Sequence, residues 1–197
     1  MYIIGVTGGT GAGKSSAVNV LRELGAITLD CDAIYHEVLQ KNAEMKNEIR
    51  EHFDNVSMSG EIDRRKLGEL VWNNPDLLNK LNEITHKYID VEIDLRINKL
   101  KQDNIKVMVI DAIALIESRQ SKKCDVLVGV VAPRDKRLKR IMIRDNLTED
   151  YAQKRINAQQ DEKYYRDNCD YILENVFDSE AEFEDMCREF FKELLYE

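Results

Sequence analysis

The feature that most constrains this chain is a short apolar run that ends in a glycine-rich segment. The run covers Tyr2 to Val6 and precedes Gly8-Gly9-Thr10-Gly11-Ala12-Gly13-Lys14-Ser15. This segment satisfies the pattern G-x-x-x-x-G-K-[ST] and lies after an apolar run and before a helical pattern, as a phosphate-binding loop requires. The chain is therefore predicted to begin with a buried strand, a tight loop and a helix, in that order.

The residue types of this segment suit phosphate chemistry. Glycines let successive backbone N–H groups turn inward around phosphate oxygens, and the start of the following helix adds its partial positive charge. We expect Lys14 to reach the β- and γ-phosphates and to act in catalysis, and the Ser15 hydroxyl to ligate Mg²⁺. The alternative is an ordinary glycine-rich turn. The predicted nucleotide-binding residues of this segment are Gly9, Thr10, Gly11, Ala12, Gly13, Lys14, Ser15 and Ser16.

Strand-like and helical patterns alternate along the rest of the chain. Further strands are predicted over residues 26–29, 107–110, 126–131 and 171–173, because these runs are short and apolar. Such alternation predicts one domain over residues 1–197, an α/β fold with a doubly wound parallel sheet of the P-loop NTPase type.

Two helices are predicted from apolar residues at steps of three and four. One covers residues 76–101, with a stripe of Leu77, Leu81, Ile84, Tyr88, Val91 and Leu95. The other lies near the carboxyl terminus, with Phe183, Met186, Phe190 and Leu194. We interpret both stripes as core. Residues 42–101 show no strand pattern, so we predict a helical insertion there.

Acidic residues follow two of the predicted strands. Asp32 comes shortly after residues 26–29, where a carboxylate can accept the proton of an attacking hydroxyl or hold it in line. An equally simple alternative is that Asp32 only caps the helix that begins near Ala33. Asp111 directly follows the strand over 107–110, a position from which it would hold Mg²⁺.

A basic cluster stands out in this otherwise acidic chain. Between Arg134 and Arg144 there are six basic residues and one acid, Asp135. Pro133 can start a helix here, which would align Arg137, Arg140 and Arg144. Such a helix could close over a triphosphate as a lid. The alternative is a charged face in contact with solvent.

The charge and the apolar runs exclude several classes of function. The formal net charge is −8, which argues against sequence-independent binding of nucleic acid or anionic membranes. No apolar run approaches the roughly 20 residues that cross a bilayer, and the amino terminus lacks the basic flank of a signal peptide. We therefore expect a cytoplasmic protein, with no nucleic-acid or membrane partner. We also expect a monomer.

Taken as a set, these residues resemble the dephospho-coenzyme A kinase family over nearly the whole chain. The segments that carry the resemblance, in order, are Thr7 to Ser15, Asp30-Cys31-Asp32, Ile62-Asp63-Arg64 with Leu67, Thr85-His86, Asp111 to Glu117, Leu138-Lys139-Arg140 with Arg144-Asp145, Arg155 with Gln159, and Asp170 to Asn175. The resemblance implies that ATP, with Mg²⁺, donates its γ-phosphoryl group to the ribose 3′-hydroxyl of dephospho-CoA.

The resemblance also implies roles for particular residues. Asp32 is similar in position to the family's proposed base, and Arg140 to its catalytic phosphate contact. Asp32, Arg64 and His86 would bind the substrate, and Asn175 would approach the ATP adenine. Residues 42–101 would form the CoA-binding insertion, and residues 134–160 the lid.

Three positions depart from the family's usual residues. Ile113 replaces part of a Pro-Leu-Leu stretch, Lys87 replaces a proline, and Val176 begins a segment where a glycine-containing turn is usual. These departures concern the acceptor pocket and the adenine loop. They leave open three alternatives: another nucleoside or nucleotide kinase, a nucleotide-dependent switch protein, or a non-catalytic nucleotide-binding protein.

Overall fold

A five-stranded sheet forms the centre of the fold. The computed structural model describes residues 1–58, 61–72 and 74–196. The strands are β1 (Tyr2–Gly8), β2 (Ile27–Asp30), β5 (Val107–Asp111), β6 (Val126–Val131) and β7 (Tyr171–Glu174). Their order is β2-β5-β1-β6-β7. β1 pairs in parallel with β5 and β6, and β6 pairs in parallel with β7.

Helices and one pair of short strands complete the described elements. The helices are α1 (Lys14–Glu23), α2 (Cys31–Lys41), α3 (Ala43–His52), α4 (Arg64–Trp72), α5 (Pro75–Gln102), α6 (Arg134–Asp145), α7 (Glu149–Asn157), α8 (Glu162–Asn168) and α9 (Glu180–Tyr196). A 3₁₀ helix covers Arg119–Lys123, and the strands β3 (Ser57–Met58) and β4 (Glu61–Ile62) pair in antiparallel fashion.

The chain divides into two compact units. The first comprises Met1–Leu29 and Asn104–Glu197, and the second comprises Asp30–Asp103. In the first unit, the central strands are almost free of charged side chains and bury residues such as Ile4 and Val128 completely. Burial on both faces explains why these strands are continuous apolar runs. The parallel sheet with flanking helices confirms the predicted fold class.

The carboxyl-terminal stripe packs as predicted. Phe183 and Phe191 of α9 are fully buried in the same cluster as Leu21 of α1 and the strand residue Val128. Phe190 and Leu194 are partly buried against this cluster. The stripe is therefore core, and α9 fixes α1, the helix that follows the glycine-rich loop.

In the second unit, α5 packs against α2, α3 and α4. The predicted α5 stripe is correct at Leu81 and Ile84 but wrong further on, because Val91 and Leu95 are 56% and 60% exposed while Ile93 is buried. The prediction assumed one straight stripe. A helix of 28 residues that packs against three partners can bury different sides along its length, and a seven-residue repeat drifts around a straight helix.

The segment of residues 42–101, which is predicted as a helical insertion, also contains two short strands. β3 and β4 lie within this range, and Asp63 N–H donates to the Val56 carbonyl at 2.7 Å beside them. Each strand has only two residues, which is too few to produce an alternating pattern. The second unit also includes α2, so it begins before the segment predicted as the insertion.

Candidate active site

The glycine-rich segment joins β1 to α1 as a tight loop. Gly11 and Gly13 have φ angles of 79° and 109°, which favour glycine. A Cβ atom on Gly11 would lie 2.8 Å from the Arg137 carbonyl oxygen, and one on Gly13 would collide with the Asn175 amide. The loop therefore needs glycine both for its backbone angles and for the close approach of its neighbours.

The amino terminus of α1 is left open to an anion. Gly13 is the N-cap, and no side chain in the described part of the chain caps it. The first turn itself carries no acidic residue, and the partial positive charge of a helix end favours an anion there. Backbone N–H groups at such a terminus form a phosphate site together with the glycines of the loop.

Two predicted site residues, Lys14 and Asp111, contact each other directly. Lys14 Nζ forms an ion pair with Asp111 Oδ1, and the side chains are only 14% and 11% exposed. Asp111 ends β5 and lies opposite Val6 of β1 in the sheet register. The register thus explains how two residues far apart in sequence reach the same end of the sheet. Their low exposure to water strengthens their interaction with each other and with any charged ligand.

The two serines of α1 differ in their surroundings. Ser15 is exposed in the first turn, whereas Ser16 is buried and its hydroxyl donates to Glu180 Oε1 of α9 at 2.7 Å. Of the two, Ser15 is the hydroxyl accessible to a ligand. A serine hydroxyl and the Asp111 carboxylate are oxygen donors of the kind that Mg²⁺ prefers, so this pair fits the predicted metal.

Arg140 and Asn175 both reach the loop. The Arg140 guanidinium donates to the Gly11 carbonyl at 3.3 Å, to Asn175 Oδ1 at 2.9 Å and to the Phe177 carbonyl at 2.8 Å. Asn175 is buried, and its Nδ2 donates to the Ala12 carbonyl at 2.9 Å. Burial lowers the pKa of Arg140. The structure therefore places Arg140, the predicted phosphate contact, and Asn175, the predicted adenine neighbour, in contact with each other and with the loop backbone.

Two further residues, Arg137 and Gln159, contact the loop in ways that the sequence did not indicate. Arg137 Nε donates to the Thr10 carbonyl at 2.9 Å, and Gln159 Oε1 accepts from the Thr10 N–H at 2.8 Å. The N–H of Thr10, predicted to bind nucleotide, is thus occupied by a protein side chain. Gln159 lies 149 positions from Thr10, so no local spacing in the sequence could have indicated the contact.

Some residues of the basic cluster between Arg134 and Arg144 contact the loop, and others lie at the surface. Arg137 and Arg140 turn inward, so a face in contact with solvent is wrong for these two, whereas Arg144 is 58% exposed and pairs with Asp145. α6 begins after Pro133, as predicted. Ile141, Ala152 and Ile156 form a small core between α6 and α7. The role of this helical pair as a lid remains a prediction.

In the second unit, Asp30 and Asp32 take different roles. Asp30 is the N-cap of α2, and its Oδ1 accepts from the Ala33 N–H at 2.9 Å. Asp32 lies in the first turn and is exposed. The alternative that Asp32 only caps the helix is therefore wrong, because the cap is supplied two residues earlier.

The other predicted substrate residues of this unit do not meet. Arg64 begins α4 and contacts His36 Nδ1 on α2, whereas His86 is exposed on α5. His36 lies one helical turn after Asp32, on the same face of α2. Its ring is 5.4 Å from the ring of Tyr35. His36 was missed by the sequence analysis, although its spacing of four from Asp32 was visible there.

The described helices do not have the properties of a membrane span. None of them, within residues 1–58, 61–72 and 74–196, combines the length and the apolar character that crossing a bilayer needs.

Comparisons with known proteins agree with this geometry. The family model for dephospho-CoA kinase (CoaE) matches residues 2–181. A dephospho-CoA kinase of Latilactobacillus sakei is 33% identical over 175 residues, covering 88% of this chain and 87% of the relative. One of Dehalococcoides mccartyi is 37% identical over 161 residues, covering 81% of each.

Solved structures give the same result. The dephospho-CoA kinase from Campylobacter jejuni superposes with a TM-score of 0.64 at 26% identity, covering 99% of this chain and 98% of that one. The matched region includes the glycine-rich loop, Asp111, Arg140 and Asn175. This chain belongs to the dephospho-CoA kinase family.

Proposed function

We propose that this member of the family transfers the γ-phosphoryl group of ATP to the ribose 3′-hydroxyl of dephospho-CoA, giving CoA and ADP with Mg²⁺. The observation that carries the proposal is the loop between β1 and α1, with its left-handed glycines, open helix terminus and adjacent ammonium group of Lys14. Together these groups suit a chain of phosphates and little else.

The loop and Lys14 act on the donor. Backbone N–H groups near the start of α1 bind the phosphate oxygens, and Lys14 neutralises charge on the β- and γ-phosphates. Because phosphoryl transfer mainly requires positioning and charge stabilisation, fixed groups of this kind account for much of the catalysis.

Ser15 and Asp111 are the residues that would hold the metal. When bound there, Mg²⁺ would offset the negative charge of the phosphates. Asp111 also holds Lys14 in the structure. The same carboxylate therefore orients the lysine and supplies an oxygen for the cation.

The second unit carries the groups proposed for the acceptor. Asp32 is exposed, and Asp30 caps α2 in its place. The Asp32 carboxylate can therefore accept the proton of the 3′-hydroxyl. Arg64 and His86 are exposed polar groups suited to the phosphates of dephospho-CoA. We assign the residues of α2 to α5 to acceptor binding on this basis and on the family relationship.

The experiment that tests this function is ADP release with a panel of acceptors. The proposal predicts strong stimulation by dephospho-CoA and little by adenosine or nucleoside monophosphates. A preference for one of the smaller acceptors would identify a nucleoside or nucleotide kinase instead. Nucleotide binding without acceptor-dependent turnover would indicate a non-catalytic protein.

A further inference from the structure

Every polar group of Thr10 is occupied by two residues distant in sequence. Its N–H donates to Gln159 Oε1 at 2.8 Å, its carbonyl accepts from Arg137 Nε at 2.9 Å, and its hydroxyl accepts from Gln159 Nε2 at 2.7 Å. Arg137 also donates to Gln159 Oε1 at 2.9 Å. Thr10, Arg137 and Gln159 are thus joined by four hydrogen bonds, and we call this group of three residues the Thr10 clamp.

The Thr10 clamp acts at the apex of the phosphate-binding loop. Gly9 and Gly11 flank Thr10, and glycine contributes no side chain that could fix the backbone there. The Arg137 guanidinium packs against the loop so closely that a Cβ on Gly9 would collide with it. Fixing Thr10 therefore fixes the orientation of the neighbouring N–H groups, whose directions determine how well they bind phosphate.

The two clamping residues come from the two sequence ends of the α6–α7 pair, and their side chains contact each other. Arg137 lies in the first turn of α6, and Gln159 follows the end of α7 at Asn157. Between them, α6 and α7 share the small core of Ile141, Ala152 and Ile156. The α6–α7 pair is therefore tied to the loop at both of its ends.

We propose that Gln159 is a positioning residue for the phosphoryl donor: through Thr10 it holds the phosphate-binding loop in the shape that binds the nucleotide phosphates. It does so without touching the nucleotide. The inference rests on the proposed placement of ATP on this loop. It adds that the affinity for nucleotide depends on a side chain just after the end of α7.

The test uses Gln159→Met, which keeps the length of the side chain and removes all of its hydrogen bonds. Gln160→Met is the matched control, because Gln160 is exposed and donates only a long bond of 3.4 Å to Glu117. The dissociation constant of ADP is measured by calorimetry, and KM for ATP, KM for dephospho-CoA and kcat are measured on the same proteins.

We expect Gln159→Met to raise the ADP dissociation constant and KM for ATP by about tenfold, because it removes the three part-buried hydrogen bonds that Gln159 makes to Thr10 and Arg137. KM for dephospho-CoA should change by less than about twofold. Gln160→Met should match the unmodified protein in all four quantities. A merely structural role would instead lower the melting temperature and reduce the folded fraction without raising KM for ATP selectively.

Substitutions at Thr10 test whether Gln159 acts through that residue. Thr10→Val removes the hydroxyl, and Thr10→Ser retains it, so Thr10→Ser should bind ADP more tightly than Thr10→Val. The double variant Gln159→Met with Thr10→Val should bind ADP no more weakly than Gln159→Met alone, because both changes break the same clamp. Independent, additive losses would contradict the proposal.

The outcomes separate this inference from the proposed function. If the unmodified protein does not bind ADP, the placement of nucleotide on the loop is wrong. If the unmodified protein binds ADP and Gln159→Met binds it equally well, the placement stands and the positioning role of Gln159 is overturned.

Discussion

At the scale of single residues, the pairing of Lys14 with Asp111 is the most consequential contact. Both side chains are largely shielded from water, and two opposite charges in such a place interact more strongly than at the surface. Lys14 is thereby held at the end of the sheet instead of sampling many rotamers. A lysine fixed in this way loses less conformational entropy when it binds phosphate.

Replacing Lys14 tests its role in the transition state. Lys14→Ala should lower kcat by about 10²- to 10³-fold, because it removes a charge that stabilises the transferring group. The far-ultraviolet circular dichroism spectrum should remain that of a folded protein. Lys192→Ala, an exposed lysine on α9, serves as the control and should keep full activity. A kcat of Lys14→Ala close to that of the control would contradict the role.

Asp30 and Asp32 offer a pair of substitutions with opposite outcomes. Asp32→Asn should abolish most of the turnover and leave the melting temperature unchanged, because the side chain is exposed and does not cap α2. Asp30→Ala should cost about 1 kcal/mol of stability, as the loss of an N-cap does. Turnover and thermal unfolding are measured on both variants. Undiminished turnover in Asp32→Asn would show that this carboxylate is not the base.

The sequence was informative about residues whose chemistry is local. Lys14 and Ser15 follow from one contiguous motif, and Asp111 follows from the end of an apolar strand. Gln159 and His36 could not be assigned in this way, because their contacts with Thr10 and Arg64 depend on tertiary structure. The sequence left Asp32 open as either the base or the helix cap, because an aspartate near a helix start suits both roles. The structure gives the cap to Asp30, directly before α2.

At the scale of elements, the turn from the loop into α1 depends on the absence of a side chain at Gly13. Gly13→Ala should destabilise the protein by at least ~1–2 kcal/mol, since φ is 109° and the new Cβ would meet Asn175. Gly68→Ala in α4 should instead stabilise it by about 1 kcal/mol, because nothing lies within 4 Å of its Cβ position. Urea unfolding measures both, and equal effects would contradict the argument.

The connection between α2 and α5 should depend on pH. Hydrogen bonds from Arg96 and then Lys41 lower the pKa of Glu37 to about 2, from its usual value of 4.5. Arg96 Nη2 lies 2.7 Å from Glu37 Oε2. Since the folded pKa is the lower one, this carboxylate stabilises the fold above pH 4.5, and the contribution is lost as the pH falls towards 2.

Glu37→Gln isolates this contribution. The difference in unfolding free energy between the unmodified protein and Glu37→Gln should shrink as the pH falls from about 6 to about 3. Urea unfolding at a series of pH values gives the difference directly. A difference that stays constant over that range would show that the pairing with Arg96 does not stabilise the folded state.

The elements were predictable where burial is uniform. The central strands and α9 pack against one continuous core, so their apolar residues follow a single pattern in the sequence. α5 packs against three helices, and the side of α5 that is buried changes along its length. The two-residue strands β3 and β4 form through backbone pairing, which no side-chain pattern records.

At the scale of the whole molecule, the two compact units carry different parts of the proposed chemistry. The unit built on the parallel sheet contains the phosphate-binding loop, Lys14, Asp111 and the Thr10 clamp. The unit of α2 to α5 contains Asp32, Arg64 and His86. Family membership was accessible from the sequence because the order and spacing of these segments extend through both units.

The central claim is that the loop between β1 and α1 binds the phosphates of ATP. The most direct measurement is a crystal structure of the protein with Mg²⁺ and a non-hydrolysable ATP analogue. We predict that the phosphates lie against the N–H groups at the start of α1, with Lys14 Nζ on the β- and γ-phosphates and Mg²⁺ beside Ser15 and Asp111. Nucleotide bound elsewhere, or a loop too narrow to admit phosphate, would contradict the account.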